Sequence, residues 1–300
     1  MRQRDDFPTT SPIPAVTVVV PAHLSTETDL AHLDEQLAAL AAQDYRGALE
    51  VLVADNGSPV DLRDHLAHSD FGDLKVRHVD ASAERGAAAA RNIGAAHADT
   101  PILLFCDHDD RVRPDWASRL VEFLGDDHDV VSSAVEGRTL NTANPRHAAE
   151  VPAPEDFLRT SSATAPTLLA GSMACRATVF RELGGFDSGY TANEDVEFGW
   201  RAHRAGYRTG FLPAALVAYR YRTTFRAGYR QGRARGIGLA RLHRDHPRNG
   251  LPPIRFPVQL LTLAVLAVNP RLTTEERGLL LGITVGQTTG GLRYRTLRWW

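Results

Sequence analysis

Lysine is almost missing from this 300-residue chain: Lys75 stands alone beside 33 arginines. With the abundant alanine, this points to a GC-rich genome, a matter of codons and not of chemistry. Cysteine is nearly as scarce. Cys106 and Cys175 both sit in apolar runs, which excludes a disulfide scaffold and predicts two buried thiols in a reducing compartment. No apolar run reaches the roughly 18–20 residues of a spanning helix. The nearest, residues 256–268, is interrupted by Gln259 and Thr262 and stopped by Pro270. Residues 1–14 are polar and Pro-rich, without the hydrophobic segment of a signal peptide. They read as a flexible N-terminus, and a cytoplasmic location is expected. Internal repeats and low-complexity segments are absent as well.

What is present is an ordinary globular balance, 43% hydrophobic and 23% charged, which excludes a disordered or fibrous chain. The net charge of −2 hides a division. Residues 1–197 hold 33 acidic against 16 basic side chains, whereas residues 198–300 hold 18 arginines against Asp245, Glu275 and Glu276. The two parts have different electrostatic work to do.

The first 135 residues alternate β-branched runs with helical patterns. Val16-Thr17-Val18-Val19-Val20, 49–54, 75–79, 102–106 and 130–135 read as strands. Leu30, Leu33, Leu37 and Leu40 fall at helical spacing, and 85–98 and 114–124 read as helices. Near-continuous apolar strands separated by helices predict a parallel α/β sheet covered on both faces. The segment 137–166, with four prolines, reads as a long loop of the kind that often serves as a lid or acceptor loop.

In such sheets, ligands bind beyond the carboxyl ends of the strands. Those ends read Pro21-Ala22-His23, Asp55-Asn56-Gly57-Ser58, Asp80 and Asp107-His108-Asp109-Asp110, so three of the four carry carboxylates. No Gly-rich turn follows the first strand, which argues against a dinucleotide-binding dehydrogenase and a P-loop enzyme. Packed carboxylates repel one another unless a cation lies between them. A hard divalent ion held by one or two carboxylates and a ligand's phosphates suits the pattern; a solvated turn, with Asp110 capping the helix after it, is the plainer reading.

Six motifs in order give the chain a resemblance to family 2 glycosyltransferases of the GT-A fold. They are Val18-Val19-Val20-Pro21, Val53-Ala54-Asp55-Asn56-Gly57-Ser58, Gly86 with Arg91-Asn92, Phe105-Cys106-Asp107-His108-Asp109-Asp110, Gly184-Gly185-Phe186-Asp187, and Asn193-Glu194-Asp195. The resemblance runs over about residues 16–221. It implies a Rossmann-like, mostly parallel sheet at 15–222; beyond it, residues 223–300 read from their own composition as an Arg-rich helical and apolar region.

It also implies roles. Asp55 would accept from the ring N–H of the donor's base, Pro21 and Ala22 would line the nucleoside, and Arg91 would lie close to the base. Asp107 would reach the ribose or the metal, and Asp109 would be the principal ligand of Mn2+ or Mg2+. Asp195, beside Glu194, would be the general base of an inverting transfer from a nucleotide sugar, with UDP-sugar as the expected donor. The acceptor would be a glycan, a lipid-linked saccharide or a small molecule. The family often carries a His after the strand that follows the catalytic helix; here that stretch reads Tyr219-Arg220-Tyr221-Arg222. Arg220 and Arg222, together with Gly171 and Ser172, are therefore candidates for phosphate or acceptor contacts, guanidinium being suited to phosphate. A fold-keeping binding protein without turnover and a nucleotidyltransferase are the alternatives.

Past Arg201 the arginines have no interleaved aromatic platforms and no nucleic-acid recognition motif, so nucleic acid is not expected as a partner. Arg226, Arg230 and Arg233 would share one helix face, and Gly228, Gly232 and Gly236 another. The apolar segments after Ile254, with Arg293, Arg295, Arg298, Trp299 and Trp300, have the aromatic and cationic ends of an interfacial anchor. Peripheral contact with an anionic membrane surface is the expectation.

Overall fold

The computed structural model describes residues 12–142, 167–248, 251 and 253–299. Strand β1 (Val16–Ala22) is buried along its whole length, as the β-branched run predicts for a strand covered on both faces. It lies between β2 (Leu49–Asp55) and β4 (Ile102–Cys106), with β3 (Lys75–Asp80) outside β2, all four parallel. Helix α1 (Glu27–Ala41) starts at a capping box between Thr26 and Asp29. Its Leu33, Leu37 and Leu40 pack on the face of the sheet lined by Val18, Val20, Leu104 and Cys106. Helices α2 (Leu62–His68) and α3 (Ala87–Ala96) complete the first half. Gly94 lets α3 lie directly on β1: a methyl there would stand 2.5 Å from the Val19 side chain.

Beyond β4 come β5 (Arg111–Val112), α4 (Trp116–Leu124), β6 (Val130–Glu136), β7 (Ser172–Arg176), α5 (Ala177–Glu182), α6 (Glu194–Arg204) and β8 (Thr209–Ala218). The strand order is β3-β2-β1-β4-β7-β6-β8-β5. The sheet is mostly parallel, but not wholly so: β7 runs against β4 and β6, and β5 against β8. Only four residues separate β4 from β5, far too few for the crossover that parallel strands require, and the chain reverses there. Most of the expected 137–166 loop, and most of the expected N-terminal tail, lie outside the described residues.

Four aromatic rings set the site's foundation. Phe105 on β4, Phe180 on α5, Phe186, and Phe198 on α6 meet with centroids 5.2–5.5 Å apart. They tie the strand that ends in Asp107 to the helix that begins at Glu194 and Asp195. Phe198 and Trp200 are core residues. Both cysteines are buried, free thiols.

The C-terminal elements are α7 (Phe225–Asp245), β9 (Ile254–Arg255), α8 (Phe256–Val268), α9 (Thr274–Tyr294) and β10 (Leu297–Arg298). Helices α7 and α9 run parallel, backbone on backbone, through two glycine rows: Gly228, Gly232 and Gly236 against Gly278, Gly282 and Gly286. A methyl on Gly228 would stand 2.6 Å from the Glu275 carbonyl, and one on Gly232 would overlap the Leu279 carbonyl. Gly232→Ala would gain about 1 kcal/mol of helix propensity, but overpacking of a rigid seam costs about 1–3 kcal/mol. A net loss is therefore expected, read as a lower denaturation midpoint at unchanged slope.

Candidate active site

The carboxyl ends of the parallel strands form one rim, locked by backbone-directed hydrogen bonds. Asn56 N–H donates to the Ala22 carbonyl (2.7 Å), and the Asn56 amide spans the Ala81 and Glu84 carbonyls (2.6 and 2.7 Å). At the end of β2, Asp55 Oδ1 accepts from Ser58 N–H (2.8 Å), and Oδ2 lies 3.1 Å from His78 Nε2 on β3. Asp80 caps its own turn through Ser82 and stays exposed. His108 Nδ1 lies 3.2 Å from the Pro21 carbonyl, which folds the 107–110 turn over the end of β1. Pro21 and Ala22 are buried and extended beneath it.

The Asp-rich turn is clamped from the opposite side by Gln36, a fully buried residue of α1. Its amide donates to the Asp107 carbonyl (2.9 Å) and accepts from Val112 N–H (3.0 Å). Nothing local in the sequence marks His78, and Gln36 is marked only as a glutamine among the leucines of an amphipathic helix. Asp110 is not a helix cap. It is buried at 2% exposure, and its Oδ1 accepts from Arg220 N–H (2.8 Å). Tertiary pairing has overridden the local cap pattern, and α4 begins at Asp115 without a side-chain cap.

Arg91 on α3 joins the rim to α6. Its guanidinium donates to Asp107 Oδ1 (2.6 Å) and Glu194 Oε1 (2.8 Å), above the Phe186 ring. Burial works against its charge, but Asp107, Glu194 and Asp195 more than offset that and hold it firmly protonated. Asp195 is half-buried. Its Oδ2 accepts from Ala170 N–H (3.0 Å) and its Oδ1 from Val196 N–H (2.9 Å). Burial pushes the Asp195 carboxyl up, only partly countered by these N–H groups and Arg91; burial and the adjacent Asp195 push Glu194 up. The preceding Asn193 adopts a left-handed conformation (φ 67°), and its amide donates to the Arg235 carbonyl of α7 (3.0 Å). Functional sites are where such strained residues concentrate.

Arg222 Nη1 donates to Asp109 Oδ2 at 2.6 Å. Burial would raise the Asp109 carboxyl, but His108 and Arg222 bring it below the usual range. Asp110 is pushed well up, by burial and then by Asp107 and Asp109. Arg220 is committed elsewhere, to the Asp109 carbonyl (2.8 Å) and Glu35 (2.7 Å). Gly171 faces the carboxylates: a methyl there would stand 3.2 Å from Asp107 Oδ2 and 3.9 Å from Asp110 Oδ2. Ser172 turns inward, bonding Trp116 Nε1 (3.0 Å) and Ser133 Oγ (2.6 Å), so its side chain does not face the rim.

Among the described residues, no group of three His, Cys, Asp or Glu is disposed to hold a metal ion. Asp107 borders the space Gly171 leaves open; with Asp109 of the same turn it suits the mode in which one or two carboxylates would hold a divalent ion and a ligand's phosphates would supply its remaining oxygens. A separate depression of about 890 Å3, lined by Asp34, Gln43, Tyr45 and Phe71 among others, lies at the opposite end of the sheet. It carries none of these groups.

A mostly parallel sheet with this carboxylate rim and a helical extension is the GT-A architecture. The glycosyl transferase family 2 model matches residues 17–184, and the chain belongs to that family. A broader model, glycosyl transferase family group 2, matches residues 102–285. The chain is 30% identical over 262 residues to the pre-mycofactocin glycosyltransferase of Mycobacterium tuberculosis, covering 83% of this chain and 53% of the relative. It thus spans about half the length of that curated relative. An N-acetylglucosaminyltransferase of Rhizobium leguminosarum bv. viciae is 25% identical, with 97% and 69% covered. Among solved structures, a mannosyltransferase of Pyrobaculum calidifontis in complex with GDP-Man and Mn2+ shares the fold (TM-score 0.62, 21% identity, 95% of this chain and 76% of that one). So does S. aureus TarS 1-349 in complex with UDP-GlcNAc (TM-score 0.52, 16% identity, 94% and 92%).

Proposed function

We propose that this chain transfers a sugar from a nucleotide diphosphate sugar, a UDP-sugar in the first instance, to an acceptor hydroxyl with inversion. The observation that carries this reading is the Arg91 bridge, which fixes the rim carboxylate Asp107 to the helix bearing Glu194 and Asp195. Asp195 takes the proton of the acceptor hydroxyl as its oxygen bonds to the anomeric carbon. The bond from that carbon to the phosphate oxygen breaks, and the nucleoside diphosphate leaves with the electron pair. One base and one displacement invert the anomeric centre. Asp55, set by His78 and Ser58, accepts from the base of the donor; Pro21 and Ala22 lie against the nucleoside.

Asp109 and Asp107 would hold a divalent cation, Mn2+ or Mg2+, whose chemistry here is to neutralise the departing diphosphate. Arg222, paired with Asp109, would add a second positive charge for the same purpose. The acceptor is a glycan, lipid-linked saccharide or small molecule bearing a free hydroxyl.

The test is UDP release from a panel of UDP-sugars with Mn2+, with and without acceptors. Asp109→Ala is expected to lower release by at least about a hundredfold, in line with loss of one transition-state charge stabiliser. Release undiminished by that change would remove Asp109 from the site, and pyrophosphate as product would make the protein a nucleotidyltransferase.

A further inference from the structure

Helix α8 is apolar on almost every face and yet stands largely exposed. Of its thirteen residues, the side chains turned inward are Gln259 and Leu266, while Val258, Leu260, Leu261, Val265 and Val268 are about half or more exposed. Val268 reaches 80%. A helix apolar all round is normally buried, and contiguous apolar patches of this kind mark interaction surfaces. Thr262, the remaining polar side chain, returns its hydroxyl to the Val258 carbonyl (2.8 Å) and presents no free donor.

The ends of the helix identify the occupant. Arg255 is its N-cap and is paired in register with Arg298 across β9 and β10. Next to them Trp299, itself exposed, packs on Phe256 with centroids 5.0 Å apart. Arg271 follows at the other end. No carboxylate occurs between Asp245 and Glu275. Aromatic and cationic residues bracketing an apolar face are the chemistry of a bilayer interface with anionic headgroups. A second copy seated on this face would bring like-charged Arg255 and Arg298 surfaces together with no acid on the segment to pair them. Thirteen residues span about 20 Å, short of the roughly 30 Å hydrocarbon core, and no described helix is long and apolar enough to cross.

We propose that α8 lies in the plane of an anionic membrane surface, its apolar face in the acyl boundary and Arg255, Arg298 and Trp299 at headgroup level. The inference is independent of glycosyl transfer, because its test reads lipid binding and not turnover. The full chain is sedimented with vesicles of phosphatidylcholine alone, and with vesicles of equal parts phosphatidylcholine and phosphatidylglycerol. Binding to the anionic vesicles is expected, falling at least about tenfold in Leu261→Glu/Val265→Glu and in Arg255→Glu/Arg298→Glu. These positions are exposed, so thermal melts of the variants should match the parent. Absence of binding by the parent chain would overturn the proposal. So would binding that survives Leu261→Glu/Val265→Glu and vanishes only with salt, which would mean adsorption through arginine alone. A dimer in gel filtration that those same substitutions dissolve, without vesicle binding, would assign the face to a second copy.

Discussion

Asp195→Asn is expected to lower kcat by about a hundred- to ten-thousand-fold, the range over which a positioned general base contributes. Donor affinity, read as the dissociation constant of UDP or UDP-sugar, should change little. Asp195 accepts hydrogen bonds from Ala170 and Val196 N–H, one on each oxygen. Each oxygen keeps a second lone pair, which in the proposed reaction would serve the acceptor hydroxyl. Asparagine retains the shape but turns an NH2 toward one of these backbone donors, so some local displacement accompanies the loss of the base. The pH profile separates the two effects. Burial holds the Asp195 carboxyl above its ordinary range, and a base works deprotonated. The rate of the parent enzyme should therefore rise with pH along a limb displaced upward from that of an exposed aspartate. In Asp195→Asn that limb should disappear from whatever activity remains. A variant that keeps the limb would show that another group titrates, and Glu194, which burial also raises, would take its place.

Much of this site was legible because it rests on local signals. β-branched runs marked the buried strands, carboxylates marked their ends, and glycines four apart marked the face on which α7 meets α9. What escaped was everything set by contacts between distant segments. Asp110 reads as a cap because an Asp ahead of Pro114 looks like one; only the Arg220 backbone, 110 residues on, shows it to be buried and paired. Ser172 reads as a rim residue, yet its register opposite Cys106 turns it toward Trp116. The direction of β5 and β7 is a property of the assembled sheet, not of either strand. Arg91 was placed near the base by resemblance, and in the fold its guanidinium lies between Asp107 and Glu194.

That last placement carries the second large effect. Arg91→Met should destabilise the protein by about 3 kcal/mol, the lower end of the range for removing one partner from a buried ion pair. The lower end applies because Asp107 is 31% exposed and water still reaches it, whereas Glu194, at 12%, has little solvent to replace Arg91. For a chain of this size the melting temperature should fall by roughly 5 °C. The loss must also depend on pH, and its sign is fixed. Glu194 already lies above its ordinary value through burial and Asp195, with Arg91 opposing both; without Arg91 it rises further. A carboxyl whose folded pKa exceeds its unfolded one binds its proton more tightly when folded, so stability falls as pH rises through that interval. The deficit of Arg91→Met relative to the parent should accordingly be largest at neutral pH and shrink on acidification. Adding Glu194→Gln removes the stranded charge and should restore part of the stability, a coupling that a double-mutant cycle measures directly. Activity should not return with it, because Asp107 would still lack the cation that holds it against α6. Recovery of stability without turnover is the signature of a residue that both braces the fold and positions the site.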